Sequence, residues 1–76
     1  MLSEEDRAIL DFERLSLQQA GPKDQAIEMV LGLTAAAYYE RLLEIVYSAP
    51  ASAYDPLTTK RVRALVESPM EAGLAV

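Results

Sequence analysis

The chain has 76 residues, enough for one small domain, and half of them are hydrophobic, which favours a packed core. It contains no cysteine and no histidine, which excludes disulfides and thiolate or imidazole metal sites, so we expect no metal and no cofactor. The net charge of −5 disfavours tight binding to nucleic acid, because DNA-binding domains usually carry a basic face.

The first predicted element is a helix that starts near Ser3 and ends near the Ala20-Gly21 pair. Ser3 and Asp6 have the spacing of a capping box, and we interpret the acidic start as helix capping and not as a metal site. This acidic sequence also differs from the basic start of a secretion signal. Apolar residues recur at helical spacing and predict a buried face made of Ile9, Leu10, Phe12 and Leu17.

A second helix is predicted from Pro22 to about Leu31, with a buried stripe of Ala26, Ile27, Val30 and Leu31. Gly32 should end it in the left-handed conformation, Leu33 should fill the corner, and Thr34 should cap a third helix. The third helix continues to about Tyr47. Its predicted inner face contains Tyr38, Leu42 and Ile45, widened by Leu43, Val46 and Tyr47.

Residues 48–54, Ser-Ala-Pro-Ala-Ser-Ala-Tyr, are predicted to form a linker interrupted by Pro50. Asp55-Pro56 then begins a fourth helix, which ends near Ser68-Pro69 and should bury Leu57, Val62, Leu65 and Val66. No strand pattern is present, and no run approaches the ~20 apolar residues of a membrane span. We therefore expect an all-α, three- to four-helix domain over residues 1–67, a tail over 68–76, a cytoplasmic location and no membrane contact.

Residues 23–47 have the layout of a helix-turn-helix, with the turn at Gly32. The stretch Leu-Gly-Leu-Thr-Ala-Ala-Ala-Tyr-Tyr-Glu-Arg-Leu resembles the last helix-turn-helix of sigma factors and of related response regulators. The resemblance lies in the corner at Leu31-Gly32, the cap Thr34, the inward Tyr38 and the Arg41-Leu42 pair. It implies a helix-turn-helix protein associated with transcription.

A longer resemblance covers roughly residues 2–65, which are similar to a family of short, uncharacterised actinobacterial proteins. The matching residues are Leu2, Ser3, Arg7, Ile9, Leu10, Phe12, Glu13, Gly32, Tyr38, Tyr39, Asp55, Pro56, Arg61 and Arg63. Members of that family often carry an arginine where this chain has Ala37, and often end in an arginine-rich tail that this chain lacks. Both differences remove positive charge from places that would contact phosphate.

These patterns lead to a first functional hypothesis, a transcription-associated protein with weak or partner-assisted DNA binding. The candidate contacts on the third helix are Thr34, Ala36 and Tyr39, although direct readout favours Arg, Lys, Asn or Gln. Lys60, Arg61 and Arg63 form the basic cluster of the fourth helix. That cluster is either a phosphate clamp or a solvated face paired with the acids of the first helix.

The alternative hypothesis is a protein-interaction module on a helix-turn-helix scaffold that has lost DNA reading. Tyr39, Leu43 and Tyr47 could share an outer face and contact another protein or a second copy in a homodimer. In the rival arrangement the linker folds back and Tyr54 covers this strip. An enzyme is not expected, because the chain has no histidine or cysteine base or nucleophile and no glycine-rich phosphate loop.

Overall fold

The structure is a computed structural model, and it describes residues 1–16 and 21–67. Every regular element in these two ranges is a helix, which confirms the prediction of an all-α fold. The five helices are α1 (Glu4–Ser16), α2 (Lys23–Leu31), α3 (Ala35–Val46), α4 (Ala49–Tyr54) and α5 (Pro56–Glu67). The predicted end of the first helix, the burial of Leu17 and the predicted tail over 68–76 fall outside the described residues.

The start of α1 is held by the predicted capping box. The backbone N–H of Asp6 donates to Ser3 Oγ at 3.1 Å, and the backbone N–H of Ser3 donates to Asp6 Oδ2 at 3.3 Å. This reciprocal pair satisfies two of the donors that a helix start leaves without a partner. Asp6 therefore has a structural role in capping.

The corner between α2 and α3 forms as the sequence predicts. Gly32 has a φ of +70°, and its N–H donates to the Glu28 carbonyl at 3.0 Å. Leu33 packs against the core, and Thr34 Oγ1 accepts a hydrogen bond from the Ala37 N–H at 3.1 Å. The glycine thus ends one helix and the threonine begins the next within three residues.

The prediction of a linker over residues 48–54 was wrong, because residues 49–54 form α4. Pro50 lies in the first turn of that helix, where its missing N–H would have no intrahelical partner in any case. Ala51 is fully buried, and its carbonyl accepts a hydrogen bond from Thr59 Oγ1 on α5 at 3.1 Å. The segment is therefore a packed element and the described part of the chain has five helices.

The core is a single cluster to which all five helices contribute. Its buried members are Ile9, Leu10, Phe12, Ile27, Tyr38, Leu42, Ile45, Val46, Ala51 and Val62. Helix α3 contacts each of the other four helices, so it forms the centre of the fold. Its predicted inner face of Tyr38, Leu42 and Ile45 is confirmed.

Six residues predicted to lie on buried faces are instead at the surface in large part. On α3, Leu43 is 41% exposed and Tyr47, just after the helix, is 51% exposed, so the inner face is widened by Val46 alone. On the other helices, Val30 is 65% exposed, Leu57 80%, Leu65 50% and Val66 45%. Helix α5 instead turns Thr58, Thr59 and Val62 inwards, because its N-terminal half packs on the small residues of α4. Leu65 and Val66 follow Val62 by one turn, where α3 covers them only in part.

Candidate functional site

A buried carboxylate joins four of the helices. Glu13 of α1 is only 6% exposed, and its Oε1 accepts hydrogen bonds from Tyr38 Oη at 2.5 Å and from Lys23 Nζ at 2.8 Å. Arg61 Nη2 donates to Glu13 Oε2 at 3.2 Å and to the Glu13 carbonyl at 3.0 Å. We call Glu13, Lys23, Tyr38 and Arg61 the Glu13 cluster; it ties α1 to α2, α3 and α5.

The cluster sets the charge states of its own members. Burial alone would raise the pKa of Glu13, but the hydrogen bonds from Lys23 and Tyr38 and the charges of Lys23 and Arg61 outweigh it, so the pKa is lowered. Burial and the neighbouring carboxylate both raise the pKa of the Tyr38 hydroxyl. At neutral pH, Glu13 is therefore an anion and Tyr38 is a neutral hydrogen-bond donor. Two cations of the chain, Lys23 and Arg61, are paired with Glu13.

An apolar groove runs between α3 and α5, next to this cluster. Its apolar lining residues are Tyr39, Leu42, Leu43, Val62, Leu65 and Val66, and it encloses about 440 Å³. Glu13 and Lys23 also line it, with Lys23 Nζ 5.4 Å from the centroid of the Tyr39 ring. We call this feature the α3–α5 groove. Tyr39 and Leu43 are each 41% exposed, so the groove presents apolar surface to solvent.

The four residues proposed as an interface from the sequence separate into different environments. Tyr39 and Leu43 line the α3–α5 groove, whereas Tyr47 at the end of α3 donates its hydroxyl to Glu67 Oε2 at 2.9 Å. Tyr54 donates its hydroxyl to Asp11 Oδ1 of α1 at 2.9 Å. The structure therefore places Tyr54 against α1, and residues 49–54 do not fold over the groove.

The six residues proposed to contact nucleic acid also separate. On α3, the Thr34 hydroxyl is occupied as a cap, Ala36 is exposed, and Tyr39 faces the groove. On α5, Lys60 is exposed, but Arg61 belongs to the Glu13 cluster. Arg63 donates from Nε to the Val46 carbonyl, and its guanidinium lies 5.3 Å from the Tyr47 ring centroid. The three basic residues of α5 thus have three different environments.

Other cations are also bound within the protein. Arg41 Nε lies 2.9 Å from Asp6 Oδ1, a contact that ties α3 to the start of α1. Burial would raise the pKa of Asp6, but the hydrogen bond and charge of Arg41 and the bonds to Ser3 outweigh it and lower the pKa. Arg14 pairs with Asp11 at 3.5 Å.

One feature of the sequence indicates the Glu13 cluster, although the spacing of apolar residues does not reveal it. Glu13 follows Ile9 by four residues and Leu10 by three, which places an acid on the apolar face of α1. A carboxylate on a buried face needs donors from elsewhere, because an unpaired buried charge is strongly unfavourable. The position of Glu13 on this face does not indicate which residues donate hydrogen bonds to its carboxylate.

Residues 1–16 and 21–67 include no helix of the length and apolarity that a membrane span requires. Across these ranges, no three acidic side chains come together in an arrangement that could hold a metal ion. Comparison of the chain with curated proteins and with solved structures finds no match in either set. A family model described as "Protein of unknown function (DUF3263)" matches residues 1–70. Because this match covers most of the 76 residues, the chain belongs to the DUF3263 family.

Proposed function

We propose that this chain is a protein-interaction module on a helix-turn-helix-like scaffold, and that the α3–α5 groove receives a helix of a partner protein. One observation carries the proposal: the groove exposes a continuous apolar lining from two helices. Leu65 and Val66 of α5 are about half exposed beside Tyr39 and Leu43 of α3. A partner helix lying between α3 and α5 would remove this surface from water, at roughly 25 cal/mol per Å² buried.

The composition of the groove matches that of protein interfaces. Tyrosine and aliphatic side chains are typical of the interface core, and charged groups are depleted there. The two charged residues in the lining, Glu13 and Lys23, are already paired with each other at 2.8 Å. A partner can therefore cover them without breaking this ion pair.

The placement of the cations disfavours a DNA-binding surface. For Arg61 to reach a phosphate, it would have to leave the buried carboxylate of Glu13. Removing one partner from a buried ion pair typically costs about 3–5 kcal/mol. The exposed residues Ala36, Ala37 and Glu40 of α3 offer no positive charge in exchange.

We also propose a second candidate, weak or partner-assisted DNA contact by a cytoplasmic, transcription-associated protein. A specific observation favours it: the corner at Gly32 and the cap at Thr34 leave Ala36 and Tyr39 exposed at the start of α3. The resemblance to sigma factors and to actinobacterial proteins supports the same candidate. Lys60, exposed on α5, would then supply a phosphate contact.

Titration of a labelled mixed-sequence DNA duplex separates the two candidates. We expect no change in fluorescence anisotropy at micromolar protein and about 50 mM salt, because the free cationic surface is too small. Micromolar binding that weakens steeply at about 200 mM salt and is reduced by Lys60→Ala would favour DNA contact and contradict the first proposal.

Site-specific photo-crosslinking in cells tests the groove itself. A crosslinker placed at Leu65 should trap one recurring protein, and Leu43→Ser in the same chain should abolish the product. A crosslinker at Leu57 is the matched control, because Leu57 lies on the same helix, is 80% exposed and does not line the groove. Equal products from both positions, or a product insensitive to Leu43→Ser, would argue against a groove-specific partner.

A further inference from the structure

A second cavity lies between α4 and α5, and its lining shares no residue with the α3–α5 groove. It encloses about 420 Å³. Positions 56, 60, 63, 64 and 67 of α5 recur at helical spacing and line it, and Ser52 lines it from α4. We call this feature the α4–α5 cavity. Its volume lies in the range of roughly 300–1,000 Å³ that is typical of small-molecule sites.

Two cations in this lining have no carboxylate partner. Lys60 and Arg63 are three residues apart on α5, so their side chains are neighbours on one face of the helix. Neither takes part in an ion pair within residues 1–16 and 21–67. Four other cations each pair with a carboxylate: Arg14, Lys23, Arg41 and Arg61. In a chain of net charge −5, the α4–α5 cavity is therefore a local excess of positive charge.

Arg63 is held in position without being neutralised. Its Nε donates to the Val46 carbonyl at the end of α3, and its guanidinium lies 5.3 Å from the centroid of the Tyr47 ring. These contacts leave the N–H groups of Nη1 and Nη2 for an acceptor outside the described chain. A guanidinium fixed in this way loses little side-chain entropy when it binds, and its planar fork matches the oxygens of a phosphate.

The other polar groups of the lining leave room for one bound anion. Glu67 contributes a carboxylate, but its Oε2 already accepts a hydrogen bond from the Tyr47 hydroxyl at 2.9 Å. With Lys60 and Arg63, the lining carries two positive charges and one negative charge. The hydroxyl of Ser52 adds a hydrogen-bond donor from the α4 side.

We infer that the α4–α5 cavity binds a small phosphorylated organic molecule through a phosphate monoester group. The phosphate would lie between Lys60 and Arg63 and accept a hydrogen bond from Ser52, and the organic part would contact Pro56 and Ala64. A phosphate monoester carries a charge of about −1.5 to −2 at pH 7, which two cations can match. This inference goes beyond the proposed function and does not depend on it.

The same arrangement suits a nucleic-acid backbone less well. Each phosphate of a backbone carries a single charge, and affinity comes from many cations that contact successive phosphates. Arg61, the remaining cation of α5, is held by Glu13 and does not line the cavity. A compact dianion is therefore the better match for the pair Lys60 and Arg63.

Titration of the full ¹⁵N-labelled chain with phenyl phosphate, followed by NMR, tests the inference. We expect saturable shifts of the amides of residues 52, 60 and 63, with a Kd on the order of 1 mM. Phenyl sulfate has the same shape but a single negative charge, so its Kd should be at least ~5-fold higher. A glycine-flanked phosphotyrosine peptide should bind no more tightly than phenyl phosphate, because the contacts lie within the cavity.

Matched variants separate this site from general charge attraction. Lys60→Gln should raise the Kd for phenyl phosphate at least ~10-fold, since one charge-assisted contact is lost. Arg7→Gln is the control, because Arg7 is also exposed and outside the ion pairs of the described residues but lines a different cavity. Glu67→Gln should lower the Kd, because the competing carboxylate is removed. Leu43→Ser in the α3–α5 groove should leave it unchanged.

Four results would overturn the inference. The first is the absence of saturable shifts up to about 20 mM phenyl phosphate. The second is an equal loss of binding in Lys60→Gln and Arg7→Gln, or equal binding of phenyl sulfate, which would indicate general charge attraction. The third is a phosphotyrosine peptide that binds at least ~10-fold more tightly, which would make a phosphorylated protein the ligand. The fourth is micromolar binding of duplex DNA that Lys60→Gln abolishes. None of these results bears on the α3–α5 groove, whose partner is tested at Leu43 and Leu65.

Discussion

At the scale of single residues, Glu13 is the position where one substitution should disturb the most helices. We expect Glu13→Gln to lower the free energy of unfolding by about 2–3 kcal/mol, because Lys23 and Arg61 lose a buried anion. Denaturant unfolding followed by circular dichroism measures this change. Glu28→Gln is the control, since Glu28 is exposed on α2 and should change stability by less than about 0.5 kcal/mol. Equal effects of the two substitutions would show that Glu13 contributes no more to the free energy of unfolding than an exposed glutamate does.

The contrast between the caps and the Glu13 cluster shows which residue roles could be predicted from sequence. Ser3 and Asp6 are three residues apart, as are Thr34 and Ala37, so a local pattern is enough to find their bonds. Glu13 bonds Lys23, Tyr38 and Arg61 at separations of 10, 25 and 48 residues. Such partners are set by how the helices pack, and no local pattern encodes them.

At the scale of elements, the corner between α2 and α3 depends on the left-handed conformation of Gly32. A Cβ there would meet no atom within 4 Å, so a substitution costs only backbone strain. We expect Gly32→Ala to lower the free energy of unfolding by about 1–2 kcal/mol, and Gly32→Asn by less, because asparagine tolerates this conformation better. Thermal unfolding of both variants measures the difference. If alanine and asparagine have equal effects, or alanine has none, a different backbone conformation at residue 32 would be indicated.

The prediction of helices was accurate where capping residues and apolar periodicity agree. It failed where the linker-like composition around Pro50 was given too much weight. The starts of α3 and α5 were predicted from Thr34 and Asp55, and both side chains accept a hydrogen bond from the first turn. Helix α4 was missed because Pro50 and the small residues around it are typical of linkers as well as of a short helix start. Its stability comes from packing of Ala51 beneath α5, which only the tertiary structure shows.

At the scale of the whole molecule, the groove illustrates how a site arises from assembly of elements. Tyr39 was expected on an outer face of the third helix, and Leu43 was placed both there and on the inner face; both residues lie at the surface. The α5 side of the α3–α5 groove was not predicted, because Leu65 and Val66 were assigned to the core by periodicity alone. Whether those residues are covered depends on the angle and reach of α5 against α3, and amphipathicity specifies neither.

The pH dependence of stability is a property of the whole molecule that follows from two carboxylates. Asp6 and Glu13 have pKa values below their ordinary values of 3.8 and 4.5 in the folded protein. Below these ordinary values the unfolded chain binds protons that the folded chain does not yet bind, so stability falls with falling pH. Their contribution is complete above about pH 4.5 and is lost progressively as pH drops through the lowered folded values.

Urea unfolding midpoints measured from pH 7 to pH 2.5 should show this loss of stability in acid, which we call the acid limb. Glu13→Gln should flatten it, because the variant has no proton to bind at that site, while Glu28→Gln should leave it intact. An acid limb equally steep in Glu13→Gln would mean that the tie between α1 and the other helices does not depend on the charge of Glu13.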